Sequence, residues 1–468
     1  MVTRERGWAQ HAHAVERLRA SYDAVPEGQT VRLAKRTSNL FRPREANRAP
    51  GLDVSGLNGV IEVDADNATA DVQGMCTYED LVDTTLPRGL IPLVVPQLRT
   101  ITLGGAVTGL GIESTSFRNG LPHESVTEMD VFTGAGEVVT VRPGDPLFDA
   151  FVNSYGSLGY ATRLRIALER VPGYVSLRHV RFDDAGLLAK TMAEIVETKE
   201  HDGVRVDAID GTAFEPGEYY LTLARWDEEV SRLASLAPQP PATSDYAGQQ
   251  IYYRSIQQRQ TDVLTMYDYL WRWDTDWFWC SRAMGAQHPV VRRLWPRRYR
   301  RSDVFHKLIG LNQRTGFMDR IDRIKGRPQR EQVVQDVEVP IERLEEFLEW
   351  FDRDVGMRPV WLCPLVSPGT VDGGAWPSYP LRPRTTYVNI GFWGQVHVGP
   401  DAPDAPLNRA IEAKTHELDG HKSLYSEAFY DRATFDHLYG GENLATLKAE
   451  FDPQDRLLTL YDKAVRRR

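Results

Sequence analysis

Four glycines lie close together in the segment TLGGAVTGLGIES, residues 102–114. Gly104, Gly105, Gly109 and Gly111 carry no Cβ, so the backbone there can approach a ligand closely and turn its N–H groups towards an anion. A pyrophosphate group requires such an environment. The spacing alone fits a packing turn equally well. It also differs from the dinucleotide-binding fingerprint, which needs a strand, GxGxxG and a helix, with an acidic residue about 20 positions further on.

Short strands and helices surround this segment and must position it. Alternating runs predict one hairpin that turns at Asp66-Asn67 and another that turns at Gly134-Ala135-Gly136. Between them, TYEDLVDTTLPRG has the spacing of an amphipathic helix that ends at Gly89. Strands mixed with short helices over residues 30–172 indicate one α+β domain.

Beyond residue 172 a strand–helix–strand–strand pattern occurs twice. The first half runs from VSLRHVRF to EYYLTLARW, and the second runs from EQVVQDVEV to TTYVNIGFW. Two such halves predict a ferredoxin-like α+β cap over residues 173–468, in which one sheet is backed by helices and an insertion at about 233–330 separates the halves. Residues 1–29 form an amphipathic arm, which fits packing on the domain better than anchoring in a membrane.

The insertion combines tryptophan with arginine. The run DYLWRWDTDWFWCSRAMG contains Trp271, Trp273, Trp277 and Trp279, four of the 11 tryptophans of the chain. Residues 288–327 then hold twelve Arg or Lys and three Asp, a net charge of +9. Because Trp is typical of membrane interfaces and arginine attracts anionic headgroups, region 271–327 predicts a peripheral contact with an anionic membrane. A contact with a protein partner is the alternative.

The composition excludes several classes of function. The chain has 468 residues, of which 41% are apolar and 26% charged, with a formal net charge of −9. This charge argues against nucleic-acid binding, whose affinity comes from phosphate neutralisation. Three cysteines without short spacing predict neither a disulfide framework nor a zinc site, and no metal is expected. Since no stretch is apolar enough to span a bilayer, we expect a cytoplasmic protein that is at most peripheral on the inner face of the cell membrane.

The glycine segment, followed by a hairpin and by YGSLGYATRLRI, resembles the flavin-binding domain of the FAD-linked oxidase superfamily typified by vanillyl-alcohol oxidase. The segments ITLGGAVTGLGIESTSFRNGL, PVWLCPL, YVNIGFWG and LYSEAFYDRATFDHLYGG resemble, in the same order, the Δ24-sterol reductase branch of that superfamily. The resemblance extends from about residue 30 to the C-terminus. It implies a two-subdomain FAD-binding domain followed by a substrate cap.

The resemblance also implies where FAD binds. The residues that it places against the cofactor are Thr102, Leu103, Gly104, Gly105, Gly109, Gly111, Glu113, Ser114, Ser116, Gly156, Ser157 and Gly159. Many members of the superfamily tether the flavin through a histidine, but the corresponding stretch here, residues 111–114, has none. FAD is therefore expected to bind without a covalent bond. The loop Lys35–Asn39 stands where a glycine-rich phosphate turn is usual, and Glu113 fits a salt-bridged turn residue as well as a flavin contact.

The reaction of this branch is the saturation of an isolated alkene, which has no carbonyl group to stabilise added hydride. A proton must add to give tertiary cation character while hydride from flavin N5 quenches it. Such a site needs a buried acid and electron-rich aromatic faces. Glu427 and Tyr425 are the first candidates for the acid, because Glu427 is the only carboxylate in the aromatic run 425–430. The further candidates are Tyr430, His421 and Tyr387.

Two lipids suit this chemistry, a sterol side chain and the 10-methylene fatty acyl chain of a phospholipid. Relatives of this branch reduce the second lipid in actinobacteria, and a composition rich in Arg, Ala, Asp and Val is typical of a high-GC genome. We therefore expect a methylene-lipid reductase with NADPH as electron donor and the methylene-forming methyltransferase as partner. An FAD-dependent alcohol oxidase or dehydrogenase, and a lipid-binding protein without flavin, stay open as other classes.

Overall fold

The strands form two large sheets in a computed structural model, which describes residues 5–35, 41–42, 49–237, 239, 241–248, 250–305, 307, 329–399 and 401–466. The strands are β1 (Arg32–Leu33), β2 (Gly51–Leu52), β3 (Val60–Asp64), β4 (Thr69–Gln73), β5 (Leu90–Pro92), β6 (Val126–Phe132), β7 (Val138–Val141), β8 (Tyr160–Arg170), β9 (Tyr174–Phe182), β10 (Glu200–His201), β11 (Val204–Arg205), β12 (Ala208–Glu215), β13 (Glu218–Trp226), β14 (Thr261–Thr265), β15 (Arg330–Pro340), β16 (Val360–Val366), β17 (Thr386–His397) and β18 (His421–Lys422).

Helices connect and cover these sheets. The α-helices are α1 (Trp8–Asp23), α2 (Tyr78–Thr85), α3 (Leu103–Gly109), α4 (Ser116–Asn119), α5 (Pro146–Phe151), α6 (Ala185–Thr198), α7 (Glu228–Leu236), α8 (Tyr252–Gln258), α9 (Met266–Leu270), α10 (Pro289–Leu294), α11 (Leu344–Asp354), α12 (Pro406–Glu417), α13 (Arg432–Leu438), α14 (Gly441–Phe451) and α15 (Leu460–Ala464). No helix among the residues that the structure describes is long and apolar enough to cross a bilayer.

The six-stranded sheet carries the glycine segment. Its strands lie in the order β3-β4-β8-β6-β7, and β5 also pairs with β8. Both hairpins are where the sequence predicts them, because β3 pairs with β4 and β6 pairs with β7. At the first turn the Asp64 carboxylate accepts a hydrogen bond from the Asn67 backbone N–H at 3.0 Å. The arm helix α1 packs on this domain, and the Tyr22 hydroxyl donates to the Gly134 carbonyl at 2.6 Å.

The eight-stranded sheet joins the two predicted halves. Its order is β14-β9-β13-β12-β16-β17-β15-β18, so the half β9–α6–β12–β13 meets the half β15–α11–β16–β17 where β12 pairs with β16. Helix α11 buries Leu344, Phe347, Leu348 and Phe351, one apolar stripe at helical spacing, against the sheet. The predicted α+β class and the joined halves are confirmed.

The two faces of the eight-stranded sheet differ in chemistry. On β15, Val333, Val337 and Val339 pack against the helices. Successive side chains of a strand point to opposite faces, so Asp336 and Glu338 lie on the other face, which also carries Trp361 and packs on the six-stranded domain. This interlayer between the two sheets therefore contains acidic groups as well as apolar ones.

The insertion is part of this interlayer and not an appendage. Strand β14 extends the eight-stranded sheet by pairing with β9. The side chains of Trp271, Trp273, Trp277 and Trp279 are buried, at 0–4% exposure. The expectation that these four tryptophans lie on a membrane surface is therefore wrong, because their rings pack against other rings inside the protein.

A buried ion pair fixes the insertion to the sheet. The Arg272 guanidinium donates to the Asp210 carboxylate at 3.0 Å, and both side chains are at most 3% exposed. The same Asp210 oxygen accepts from the indole N–H groups of Trp273 and Trp361, each at 3.2 Å. The Arg272 side chain also donates to the Tyr269 carbonyl at 2.9 Å. One carboxylate thus connects two segments far apart in sequence.

Neutralising this carboxylate should destabilise the fold. In Asp210→Asn the buried Arg272 has no counter-charge, and breaking a buried pair in this way costs about 3–5 kcal/mol. Urea unfolding of the holoprotein measures the loss. The matched control is Asp202→Asn, which removes an exposed carboxylate 2.7 Å from Arg178 and should leave the unfolding midpoint nearly unchanged. Equal midpoints for the two variants would contradict the assigned role of Asp210.

Candidate functional site

The glycine segment forms a short helix where a loop was expected. Helix α3 begins after Thr102, whose hydroxyl accepts a hydrogen bond from the Gly105 backbone N–H at 3.2 Å. Gly104 is buried against the six-stranded sheet, and a Cβ there would lie 2.6 Å from the Gly74 carbonyl oxygen. Gly105 is exposed on the outer side, and Gly109 is half-buried. Gly104 thus allows the helix to pack closely on the sheet, and Gly105 leaves the outer side of the helix without a side chain.

A lysine stands at the N-terminus of this helix. The Lys35 ammonium donates to the Thr102 hydroxyl at 3.2 Å. No acidic side chain among the described residues pairs with it, and burial lowers the pKa of Lys35 to about 8. A half-buried cation without a counter-charge, beside a helix N-terminus, is an environment that suits a phosphate. The other members of the predicted loop, residues 36–39, lie outside the described residues.

A second predicted segment, residues 155–159, lies against the first. The Tyr155 backbone N–H donates to the Thr108 carbonyl, and its hydroxyl donates to the Gly109 carbonyl, both at 2.9 Å. Ser157 is buried, and its hydroxyl has no hydrogen-bond partner among the described residues. The structure thus brings the two predicted cofactor segments together, Thr102–Gly109 on one side and Gly156–Gly159 on the other.

The stretch that follows the helix connects the six-stranded domain to the cap. The Glu113 carboxylate is buried and accepts from the Gln97 backbone N–H at 2.8 Å and from the Gln97 side chain, and burial raises the pKa of Glu113 to about 8. The expected salt bridge of Glu113 is absent among the described residues. The Ser114 hydroxyl lies 2.8 Å from that of Tyr269, and Ser116 accepts from the Glu113 backbone N–H at 3.0 Å.

These residues fit FAD. Gly105 leaves the outer side of α3 without a side chain, the Lys35 ammonium lies at the start of this helix with no acidic partner among the described residues, and the Ser157 hydroxyl has no hydrogen-bond partner in the same part of the chain. A lysine is a donor that can hold a phosphate, while buried polar groups next to the cap suit the polar edge of a flavin ring. Leu103 and Gly104 are turned towards the core, and their backbone N–H groups donate to the Cys76 and Gly74 carbonyls at 2.9 Å, so neither N–H group is free to bind the cofactor.

The interlayer face of the cap carries a group of rings that we call the aromatic wall: Phe278, Trp279, Trp361 and Trp393. The ring centre of Trp393 lies 4.7 Å from that of Phe278, 5.5 Å from that of Trp279 and 6.4 Å from that of Trp361. Two of these residues come from the insertion, and two come from strands β16 and β17. The wall therefore depends on the insertion being folded back onto the sheet.

A polar row crosses the same face of the sheet. Glu338 pairs in register with Asn389, and Asn389 pairs with Cys363. At the edge, His421 pairs with Glu338. Burial raises the pKa of the Cys363 thiol, which makes it a poor nucleophile. Burial lowers the pKa of His421 to about 3, so this imidazole is neutral at pH 7 and cannot act as an acid there.

The two first candidates for the acid lie in different surroundings. The Tyr425 hydroxyl accepts from the Trp393 indole N–H at 2.7 Å, beside the aromatic wall. Glu427 is half-buried beside Lys422, whose ammonium binds the Glu412 carboxylate at 2.6 Å and the Glu427 carbonyl. Lys422 pairs in register with Val337, on the helix side of the sheet. Tyr425 thus lies beside the aromatic wall, while the Glu427 backbone lies beside Lys422. Tyr387 accepts from the Arg382 side chain at 3.3 Å, and the Tyr430 ring packs against Tyr439.

Several residues of the site were not predicted from the sequence. Asp336 and Glu338 belong to this group, as do Tyr269 and Arg272. The alternation in EQVVQDVEV indicates one apolar and one polar face of a strand, and a polar face is usually exposed to solvent. Only the packing of the insertion and of the other domain buries it here.

Removing the lysine charge should weaken FAD binding. We expect Lys35→Met to raise the FAD dissociation constant about tenfold or more, since a charge-assisted hydrogen bond contributes about 1.5–3 kcal/mol. Because the unbound ammonium has a pKa of about 8, FAD should bind the wild type less tightly at pH 9 than at pH 7. Titration of apoprotein with FAD, followed by flavin fluorescence, measures both effects.

The control for this titration is Lys190→Met, which removes an exposed lysine of α6 and should change nothing. Lys35→Arg retains the charge and should remove the loss of affinity at pH 9. An unchanged dissociation constant in Lys35→Met would show that Lys35 does not contact the cofactor.

Comparison with known proteins agrees with this geometry. A family model described as an FAD binding domain matches residues 13–142. Two similar relatives are Δ24-sterol reductases. The one from Homo sapiens is 25% identical over 422 residues, with 87% of this chain and 76% of the relative covered. The one from Arabidopsis thaliana is 23% identical over 451 residues, with 89% and 77% covered.

A relative of another kind matches a smaller part. Cytokinin dehydrogenase 10 from Oryza sativa subsp. japonica is 33% identical over 153 residues, which is 32% of this chain and 28% of the relative. Similarity to the sterol reductases thus includes both sheets, while similarity to this dehydrogenase does not. The chain contains an FAD-binding domain and is an FAD-dependent oxidoreductase related to Δ24-sterol reductases.

Proposed function

We propose that this protein reduces an isolated carbon–carbon double bond in a lipid, with NADPH as the electron donor. The preferred substrate is the 10-methylene fatty acyl chain of a phospholipid, which becomes a 10-methyl chain. The observation that carries the proposal is the aromatic wall, which lies on the interlayer face of the cap sheet. Similarity to Δ24-sterol reductases over most of the chain supports the same type of reaction.

The chemistry of an isolated alkene requires such a wall. Bound FAD supplies a hydride that originates from NADPH. In balance, the methylene lipid, NADPH and one proton give the methyl-branched lipid and NADP+. The proton adds to the terminal methylene carbon, the C–H bond forms from the π electrons, and positive charge develops on the tertiary carbon that then receives the hydride.

The wall can stabilise that charge. Electron-rich ring faces attract a cation, by about 2 kcal/mol or more where water is excluded. Phe278, Trp279 and Trp361 are buried and Trp393 is half-buried, so water is excluded from most of the wall. Water would otherwise trap the developing cation as an alcohol. The rings thus act both as an electrostatic partner and as a seal.

The wall does not by itself discriminate between two lipids. A 1,1-disubstituted methylene chain and a trisubstituted sterol side chain both give a tertiary cation on protonation. A composition rich in Arg, Ala, Asp and Val is typical of a high-GC genome, as in actinobacteria, where the methylene lipid is the known substrate of such reductases. The composition therefore favours the methylene lipid. A Δ24-sterol is the second candidate, since the relatives that match across both sheets are named as reductases of such sterols.

The donor and the substrate can be tested in separate half-reactions. Under anaerobic conditions, NADPH should bleach the flavin absorbance of the holoenzyme. A 10-methylene phospholipid should then restore the absorbance and give the 10-methyl product, identified by mass spectrometry, faster than a Δ24-sterol does. The saturated 10-methyl phospholipid is the matched control and should restore nothing.

Other results would contradict the proposal in different ways. Reduction of the flavin by an alcohol and not by NADPH would identify an alcohol oxidase or dehydrogenase. Faster reoxidation by the sterol would identify the second candidate. In cells that also contain the methylene-forming methyltransferase, methylene lipid should accumulate only when this gene is absent.

We also propose that the insertion contacts an anionic membrane, through a surface that we call the α10 patch. Arg293, Arg297 and Arg298 are exposed there, next to Val290 and Leu294, which are 59% and 77% exposed. Arg292, Arg300 and Arg301 do not contribute, because Arg292 and Arg300 are buried and Arg301 pairs with Glu79 at 2.7 Å. The basic residues at 308–327 lie outside the described residues. A protein partner, such as the methyltransferase, is the alternative occupant.

Charge reversal tests this contact. The double variant Arg297→Glu, Arg298→Glu should bind vesicles with anionic headgroups more weakly, because each arginine near such a surface contributes about 1 kcal/mol. Cosedimentation with vesicles measures the effect. The control with the same change of net charge is Lys190→Glu with Arg353→Glu, two exposed residues elsewhere. Equal losses in both double variants would assign the binding to overall charge and not to the α10 patch.

A further inference from the structure

An acid and an aromatic ring meet over one glycine of the cap sheet. Asp336 of β15 pairs in register with Gly391 of β17. A Cβ at Gly391 would lie 2.5 Å from the Asp336 Oδ1 atom and 2.6 Å from the Trp393 ring. Glycine in a strand often marks a place where another group approaches closely. Here the missing side chain allows a carboxyl group to lie beside a ring of the aromatic wall.

The carboxyl group of Asp336 keeps one atom free. Its Oδ1 atom is buried and has no hydrogen-bond partner among the described residues. No lysine, arginine or histidine of the described ranges forms an ion pair with it. Asn389 and Tyr425 are the polar groups that face it from β17 and from the segment after β18, and neither carries a positive charge. Burial raises the pKa of Asp336 to about 8, so the carboxyl group holds its proton at pH 7.

We infer that Asp336 is the residue that donates the proton to the alkene. This inference rests on the proposed function and specifies its acid. The O–H bond of the Asp336 carboxyl group breaks, its proton forms the new C–H bond at the less substituted alkene carbon, and the electron pair stays on the carboxylate. The positive charge forms beside Trp393, and a proton from water restores the acid after product release.

Other carboxyl groups are less suited to this role. Glu338 is fully buried and also has one oxygen without a hydrogen-bond partner among the described residues, but its register neighbour is Asn389, whereas that of Asp336 is Gly391, beside the Trp393 ring. Both oxygens of Glu113 accept hydrogen bonds from Gln97. The backbone carbonyl of Glu427 accepts from the Lys422 ammonium, a contact that the Asp336 carboxyl group does not have. Asp336 combines a buried oxygen that has no hydrogen-bond partner among the described residues with a close approach to a ring of the aromatic wall.

Tyr425 has a supporting position. Its hydroxyl accepts from the Trp393 indole N–H, and burial together with the charge of Asp336 raises the pKa of Tyr425. A neutral phenol next to the carboxyl group can hold the Trp393 ring in place without losing its own proton. Tyr425 is thus a positioning residue in this proposal.

The test separates the two half-reactions in four variants of the holoenzyme. Asp336→Asn should retain FAD and be reduced by NADPH at the wild-type rate. Its reoxidation by 10-methylene phospholipid should fall about 100-fold or more, the contribution expected of a general acid. Asp336→Glu should recover part of this rate, because it restores a carboxyl group. Asp202→Asn, which changes an exposed carboxylate, is the matched control and should reoxidise like the wild type. Glu427→Gln tests the rival acid.

A second readout does not depend on turnover. The infrared spectrum of the wild type at pH 7 should contain the carbonyl band of a protonated carboxyl group, and Asp336→Asn should lack a band that Glu427→Gln retains. If Asp336→Asn folds poorly, the reoxidation rate of Asp336→Glu and the carbonyl band of the wild type still test whether Asp336 is the acid.

The outcomes distinguish the acid from the reaction. An active wild type with an equally active Asp336→Asn would overturn the role of Asp336 alone. A Glu427→Gln variant that loses reoxidation while Asp336→Asn retains it would transfer the role to Glu427. A wild type that accepts electrons from NADPH but leaves both the methylene lipid and the Δ24-sterol unchanged would overturn the proposed function, and with it this role.

Discussion

The buried pairing of Arg272 with Asp210 is the interaction on which the rest of the site depends. Two charges taken out of water are tolerated only where geometry and further hydrogen bonds compensate for their lost hydration. Here one Asp210 oxygen accepts from Arg272, Trp273 and Trp361 together. The insertion also contacts the six-stranded domain, because Arg99 pairs with Asp274 at 3.3 Å and Arg301 pairs with Glu79. One segment is therefore fixed to both sheets, and it brings Phe278 and Trp279 into the aromatic wall.

That burial determines the chemistry of the nearby carboxyl groups. Asp336 and Glu113 would be ionised in water at pH 7, yet burial raises the pKa of each to about 8. The same exclusion of water protects a developing cation from being trapped. Sealing the interlayer with aromatic rings thus has two consequences, a retained proton and a dry place to use it. An interlayer that was polar or open to water would neither keep these carboxyl groups protonated at pH 7 nor protect a developing cation.

Local patterns in the sequence predicted the elements but not their partners across the interlayer. The hairpins at 66–67 and 134–136, the helix before Gly89 and the two halves of the cap follow from periodicity and turn chemistry, which act over a few residues. The resemblance indicated the cofactor segments, and the structure brings residues 102–109 and 155–159 together. The tryptophans of the insertion were placed at the surface because their neighbours in sequence are charged. Their burial depends on Asp210, about 60 residues away in sequence, which no local pattern reveals. Asp336 was missed for the same reason, since an acid that alternates with valines looks like the exposed side of a strand.

If protonation precedes hydride addition, the rate of the reaction must depend on how well the alkene can bear a positive charge. Two methylene phospholipids of the same chain length, one with a fluorine on the carbon next to the double bond, can be compared as oxidants of the NADPH-reduced holoenzyme in stopped-flow absorbance. Fluorine withdraws electrons and destabilises a tertiary cation, so we expect much slower reoxidation by the fluorinated lipid. Equal or faster reoxidation by the fluorinated lipid would show that the hydride adds without prior protonation.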